Sequence, residues 1–342
     1  MQIFEKLKEK AIQTFQNISN KNPKVETTQN SEDVVDNKRV IYDLILEEMD
    51  KYQREYLVEV KKLKEQGHEH FIVKEVEDKI ISLIDENEEV LTIIKNNRNL
   101  GMLAAQLGLE NVVIRAIENE EVLHHKDDLS KTVGMYCAEN KLEKAVMMIL
   151  DDPISCLLCD TINHRNLGMY CAMFGLEKPL IKSLDNYGAS IQQDVYGWNI
   201  GMHAVSSGCE EAVMKALDNH EASIQQDCDG WNIGMYVGNV GMENAAIKAL
   251  DNLTASIQQD KDGWNIGMYC ASSDLEQATL KAIKNPLARK QKDYTGTSLI
   301  TMVQESDMKN LYDIAEELKN QDRMEQIKFQ QDEVENDFEQ GD

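Results

Sequence analysis

Two short stretches carry residue types that do chemistry. Cys156-Leu157-Leu158-Cys159 has the spacing at which two thiolates hold zinc or exchange a disulfide, and His124-His125 sets two imidazoles side by side. Neither is completed along the chain. A zinc site needs a second pair of ligands, and the nearest candidates are His164 and Cys137, the latter within apolar helical sequence. The two histidines have no acidic or cysteine partner at ligand spacing. No strand pattern of the thioredoxin type surrounds the cysteine pair. No phosphate-binding glycine loop, H-E-x-x-H or G-x-S-x-G occurs. The residues therefore assign no catalytic group, metal or cofactor, and the chain reads as a non-enzyme.

What the chain does carry is a repeat. Gly197-Trp198-Asn199-Ile200-Gly201-Met202 returns almost unchanged at Gly230 to Met235 and at Gly263 to Met268. The pair Gly-Met recurs at Gly101, Gly134, Gly168, Gly201, Gly234 and Gly267, in steps of 33, 34, 33, 33 and 33 residues. Such a period marks stacked units, each burying its apolar face on its neighbours.

Each unit holds two helix-sized patterns, which makes the chain all-α. The first helix starts at a residue able to cap it: Asn99, Thr132, Asn166, Asn199, Asn232 or Asn265. It breaks at Gly108, Gly175, Gly208 or Gly241. The second helix carries two apolar columns three residues apart. One is Ile81, Ile114, Met147, Ile181, Met214, Ile247 and Leu280; the other is Ile84, Ile117, Leu150, Leu184, Leu217, Leu250 and Ile283. Both are expected to stack into one core, with the methionines as filler. A polar loop should follow, because Ala189-Ser190-Ile191-Gln192-Gln193-Asp194 is repeated verbatim at 222–227 and 255–260. An Asp and a turn Gly then lead into the next unit.

Net charge is −25, which argues against a nucleic-acid or anionic-membrane partner and favours a basic one. No apolar run reaches the length of a membrane span. Cys137, Cys171 and Cys270 share one repeat position, read as a small buried side chain and not as a bridge. The odd total of seven cysteines points to reduced thiols in a cytoplasmic compartment; export into a host cell is not decided by the sequence.

The organisation expected is a helical extension over 1–65, an array over 66–320 and an acidic tail over 321–342. Within the extension, Phe4, Leu7, Ile12 and Phe15 suggest a short amphipathic helix over 2–17. Residues 18–37 read as a polar linker, and 39–65 as one long helix capping the array. About six full units are expected, with worn ends. A degraded first helix at 66–75 precedes a second at 76–85, and Gly296-Thr297-Ser298-Leu299-Ile300 keeps the period without the motif. The tail reads as a solvated, frayed helix or disorder.

These units resemble the ankyrin repeat. The family pattern, D-x-x-G-x-T-P-L-H-x-A-A-x-x-G, is matched by Asp194, Gly197, Ala204 and Gly208, and the run from Gly188-Ala189 to Asp194 matches the family's loop. Three departures stand out. Asn199 replaces Thr. Ile200 replaces Pro, which loses a pre-set first turn. Gly201, Gly234 and Gly267 replace a core Leu, leaving room for the following Met or for a neighbouring ring.

The resemblance implies a non-catalytic protein-binding scaffold that meets its partner through a concave face and turn tips. The most informative column follows the turn Gly: Arg98, Lys131, Arg165, Trp198, Trp231, Trp264, then Thr297. A core position would not accept cations in three successive units, so this column should be at least partly exposed. With Tyr196, Asp229 and Asp262 it forms the expected partner-binding set. The opposing reading packs the tryptophans over the missing Leu. An alternative function is a host-directed effector or regulator, in which the array targets and residues 1–65 act. Oligomeric state is left open.

Overall fold

The computed structural model describes residues 31–51, 69–306 and 308–339. The expected helix at 2–17 and the stretch 52–65 lie outside the described residues. Among the described residues the architecture is all-helical, with isolated bridges but no strand.

An N-terminal helix α1 (Ser31–Lys51) is followed by α2 (Glu69–Glu86) and a 3-10 turn (Glu88–Thr92). Six units of three helices come next. Their first, inner helices are α3 (Leu100–Leu107), α6 (Val133–Glu139), α9 (Leu167–Phe174), α12 (Ile200–Ser207), α15 (Ile233–Val240) and α18 (Ile266–Ser272). The second, outer helices are α4 (Glu110–Ala116), α7 (Glu143–Ile149), α10 (Glu177–Ser183), α13 (Glu210–Ala216), α16 (Glu243–Ala249) and α19 (Glu276–Ile283). The third are single turns: α5 (Glu120–His124), α8 (Pro153–Leu157), α11 (Tyr187–Ile191), α14 (His220–Ile224), α17 (Leu253–Ile257) and α20 (Pro286–Lys290). A last inner helix, α21 (Leu299–Glu305), and the long α22 (Lys309–Glu339) complete the stack. Each class of helix packs on its own kind in the next unit, so three ladders run along one solenoid.

The third helix corrects the expected polar loop. Ala189-Ser190-Ile191 and its two copies are helical because the preceding Asn186, Asn219 or Asn252 caps them, its side-chain oxygen accepting a backbone N–H. Two other expectations need correction. Residues 31–37, read as linker, open α1. Residues 69–86 form one uninterrupted helix, not a worn first helix and a second. The α1 segment is part of the array's core: Tyr42, Ile45 and Met49 are buried with it, and Glu48 pairs with Lys79 at 2.7 Å. At the other end α22 runs unbroken through residue 320. Its Asp322 receives both Nε and Nη2 of the buried Arg289, at 2.9 and 2.7 Å.

Inner helices start and stop as their residues dictate. The Oδ1 atoms of Asn99, Asn166, Asn199, Asn232 and Asn265 cap their helices, whereas Thr132 makes no side-chain cap bond. Gly108, Gly175, Gly208 and Gly241 end them in the left-handed conformation.

The asparagine serves more than the cap. Fully buried Asn199 also donates from Nδ2 to the Ala222 carbonyl at 2.8 Å and to Gln225 Oε1 at 2.9 Å. Gln225 in turn donates to the Ile191 carbonyl, which ends the third helix of the preceding unit. The pattern repeats from Asn166, Asn232 and Asn265. Threonine has no second donor for this network, which explains the first departure from the family pattern.

Of the two outer-helix columns, Ile84, Ile117, Leu150, Leu217, Leu250 and Ile283 are core, with Leu184 half-buried. The Ile81-to-Leu280 column is half-buried throughout, so it lines the outside of the stack and does not fill its centre. Outer helices are also tied end to end. Lys182, Lys215, Lys248 and Lys281 each donate to a carbonyl of the preceding outer helix and pair with the Asp beyond it. Glu77, Glu110 and Glu243 accept backbone N–H groups at the start of the next outer helix.

Candidate functional site

The column after the turn Gly is positioned by the turn itself. Asp194 Oδ1 accepts the Tyr196 and Trp198 amides, and its main chain closes the turn through the Asp194 amide and the Trp198 carbonyl at 2.9 Å. Asp127, Asp227 and Asp260 repeat this. Gly197 sits at φ 81°, and a Cβ there would meet Asp227 Cα of the next turn at 2.7 Å. Successive tips can therefore touch, and they hydrogen-bond main chain to main chain. The Cys228 amide donates to the Tyr196 carbonyl, Lys261 to Asp229, and Tyr294 to Asp262. Gln193, Gln226 and Gln259 reinforce these links by donating to a carbonyl of the next turn. The verbatim polar repeat is thus spent on joining units.

A second ring column, absent from the sequence reading, completes the site. It is the residue after the last five of the six Gly-Met pairs: Tyr136, Tyr170, His203, Tyr236 and Tyr269, with Leu103 after the first. Each reaches Oδ2 of its own turn Asp, the second oxygen of the carboxylate. Tyr136 donates to Asp127 at 2.6 Å, Tyr170 to Asp160 at 3.3 Å, Tyr236 to Asp227 and Tyr269 to Asp260, while His203 Nε2 lies 3.1 Å from Asp194. The signal was present in the sequence: an aromatic or imidazole ring stands nine or ten residues after every turn Asp of five successive units.

The two columns interleave. Trp231 lies between Tyr236 and Tyr269, with ring centroids 4.9 and 4.4 Å away. Trp198 lies between His203 and Tyr236 at 5.2 and 5.0 Å, and Trp264 is 5.1 Å from Tyr269. In the N-terminal units cations take the tryptophan's place. Lys131 sits over Tyr136 and Tyr170 at 4.9 and 5.6 Å, and Arg98 over Tyr136 at 5.5 Å. Arg165 instead turns to Asp194, at 3.4 Å. Rings and cations therefore form two runs, Arg98 to Tyr170 and Trp198 to Trp264, joined by the Arg165–Asp194 contact. The tryptophans are half-buried, neither free-standing nor core. Tyr196, Asp229 and Asp262 are exposed at the tips beside them.

Burial sets the ionisation of this ladder. It pushes the Tyr136 phenol up to about 12, with the Asp127 bond adding to it, and raises Tyr170, Tyr236 and Tyr269 as well. His203 is held below the ordinary histidine value by burial, against the opposing pull of Asp194. It is therefore neutral near pH 7, and its contact with Asp194 is a hydrogen bond from a neutral ring.

The reactive-looking residues are placed separately. Cys156 is buried, and Cys159 is half-buried with Sγ 3.6 Å from Gln192 Oε1. Cys137, Cys171 and Cys270 are buried reduced thiols, raised by desolvation, Cys270 to about 12. His124 has an acidic partner after all, Asp152 Oδ2 at 2.7 Å in the next unit, and His125 meets the Asn97 carbonyl. Among the described residues no three His, Cys, Asp or Glu side chains gather as a metal site. No described helix is long and apolar enough to cross a membrane.

No family model matches the chain, and no curated protein matches it. Solved structures do. The ankyrin repeat domain of Bcl-3, described as a unique member of the IkappaB protein family, superposes with a TM-score of 0.50 at 13% identity, over 61% of this chain and 95% of that one. The chain is an ankyrin-like solenoid. An ankyrin repeat domain from Acinetobacter baumannii AYE matches at 16% identity and a TM-score of 0.46, over 54% of this chain and 96% of its own. The stack here departs from the two-helix reading of its units by the third helix, and carries the asparagine network and the ring contacts besides.

Proposed function

We propose that this ankyrin-like array is a non-catalytic protein-interaction scaffold, and that its partner lies along the ring-and-cation ladder and the turn tips. The contacts are Arg98, Lys131, Arg165, Trp198, Trp231 and Trp264, with Tyr196, Asp229 and Asp262. The observation that supports this most is the unbroken run of ring contacts from Trp198 to Trp264. Trp198 and Trp231, each between two rings at 4.4 to 5.2 Å, and Trp264, against one at 5.1 Å, lose little freedom on binding, so a partner meets a preorganised surface. Tryptophan and arginine are also the side chains on which interface energy concentrates.

Truncating the tryptophans would open holes in the ladder, so a better variant borrows the chain's own alternative. Trp198→Arg, Trp231→Arg and Trp264→Arg place on the second half the residue that Arg98 and Arg165 already provide in the first. Affinity capture from cell lysate, with helix content and melting followed by circular dichroism, compares this variant with wild type. An equally helical, equally cooperative variant that loses the specific partners supports the reading. Full retention of those partners overturns it.

A further inference from the structure

We infer that the C-terminal half of the ladder receives a cationic, extended segment of the partner, with Arg or Lys side chains set against Trp231 and Trp264 and their charge met by Asp229 and Asp262. This rests on the preceding reading that the ladder is the binding face.

The chain shows what its rings accept. At one repeat position the N-terminal units supply their own cations, and two of these lie over tyrosine rings: Arg98 over Tyr136, and Lys131 over Tyr136 and Tyr170. In the fifth and sixth units that position is tryptophan, and no cation of the described residues covers Trp231, Trp264, Tyr236 or Tyr269. These rings are also made electron-rich. Tyr236 and Tyr269 donate their hydroxyls to carboxylates, which strengthens the negative face a cation seeks.

The tips carry matching charge. Asp227 and Asp260 are committed inward, one oxygen to the turn amides and the other to the tyrosine. Asp229 and Asp262 are not. Asp229 is 78% exposed, with only a loose 3.4 Å contact to Lys261, and exposed Asp262 pairs with no described side chain. The acidic chain as a whole, at −25, attracts a basic segment, and Asp229 and Asp262 give it a place at this face. In an extended segment alternate residues point one way, so several cations can follow the ladder at once.

The chain's three tryptophans all stand in the ladder, so their intrinsic emission reports on it alone. The probe is a capped synthetic peptide of Arg-Ser repeats, which sets every Arg on one face of an extended segment, titrated into the full chain beside a Glu-Ser counterpart. The Arg peptide should change the emission saturably, with affinity falling as salt rises, and the Glu peptide should not. Asp229→Asn with Asp262→Asn should weaken the Arg peptide about 10-fold through loss of two facing charges. Glu120→Gln with Glu121→Gln, the same charge change at a distant exposed site, should leave it unchanged. An unsaturable response, or equal weakening by both pairs, overturns the inference as mere attraction to an acidic chain. If lysate partners depend on the tryptophans while the Arg peptide fails to bind, only this inference falls. If those partners survive Trp→Arg, the binding-face reading falls with it.

Discussion

The Cδ1 methyl of Ile233 lies 2.4 Å from where a Cβ on Gly201 would stand. The same relation holds between Ile200 and Gly168 at 2.5 Å, and between Ile266 and Gly234 at 2.2 Å. The residue that replaces the ankyrin proline thus fills the hole left by the residue that replaces the ankyrin leucine, one unit back. Neither the following methionine nor a ring does so. Two departures that each look destabilising within one unit are a single knob-in-hole contact between units.

Gly201→Ala should cost about 1–3 kcal/mol, since both Ile233 Cδ1 and Ala216 Cβ at 2.9 Å must yield. Ile233→Val removes that methyl, and alone should cost about 0.5–1.5 kcal/mol. Combined, the two should cost less than their sum, with a coupling of about 0.5 kcal/mol or more. Urea unfolding of the four proteins measures this cycle. Strict additivity would show that the two residues do not share the space.

Asn199→Thr introduces the residue of the ankyrin pattern and should still weaken the fold. The cap to Met202 can survive, but the Ala222 carbonyl and Gln225 Oε1 lose a buried donor. A cost of about 1–3 kcal/mol is expected for leaving such groups unpaired. Thermal melting and amide exchange in α14 should both report it. A neutral substitution would mean that water replaces the lost donor.

His203→Tyr should stabilise the array toward acid. The folded His203 binds protons less readily than the unfolded one, so the unfolded state gains protons first. Its contribution is complete above the unfolded value of about 6.5 and is lost as pH falls from there through the lower folded value. Tyrosine at this position should bond Asp194 as Tyr236 and Tyr269 bond their turn aspartates, and it has no such titration. Chemical denaturation between pH 5 and 8 should show the wild-type loss flattened in the variant, on the pH range that brackets an ordinary histidine. An unchanged slope would assign the acid sensitivity elsewhere.

Period, helix starts and helix ends could be read from the chain alone, because each depends on a local rule. The recurring Gly-Met step set the unit, Asn199 and its equivalents marked the caps, and Gly208 and its equivalents marked the stops. The position of the Trp column beside the turn was local in the same way, since the Asp and Gly that shape the turn adjoin it. Three things were decided only by the tertiary structure. Ala189-Ser190-Ile191 became helical through an asparagine cap and a bond network that closes 23 to 26 residues away. Gly201 proved to be a socket because its occupant belongs to another unit. The half-burial of Trp231, between one tyrosine of its own unit and one of the next, depends on how two units rotate against each other. A repeat pattern shows which residues share a register, but contacts across the period exist only once the units are packed.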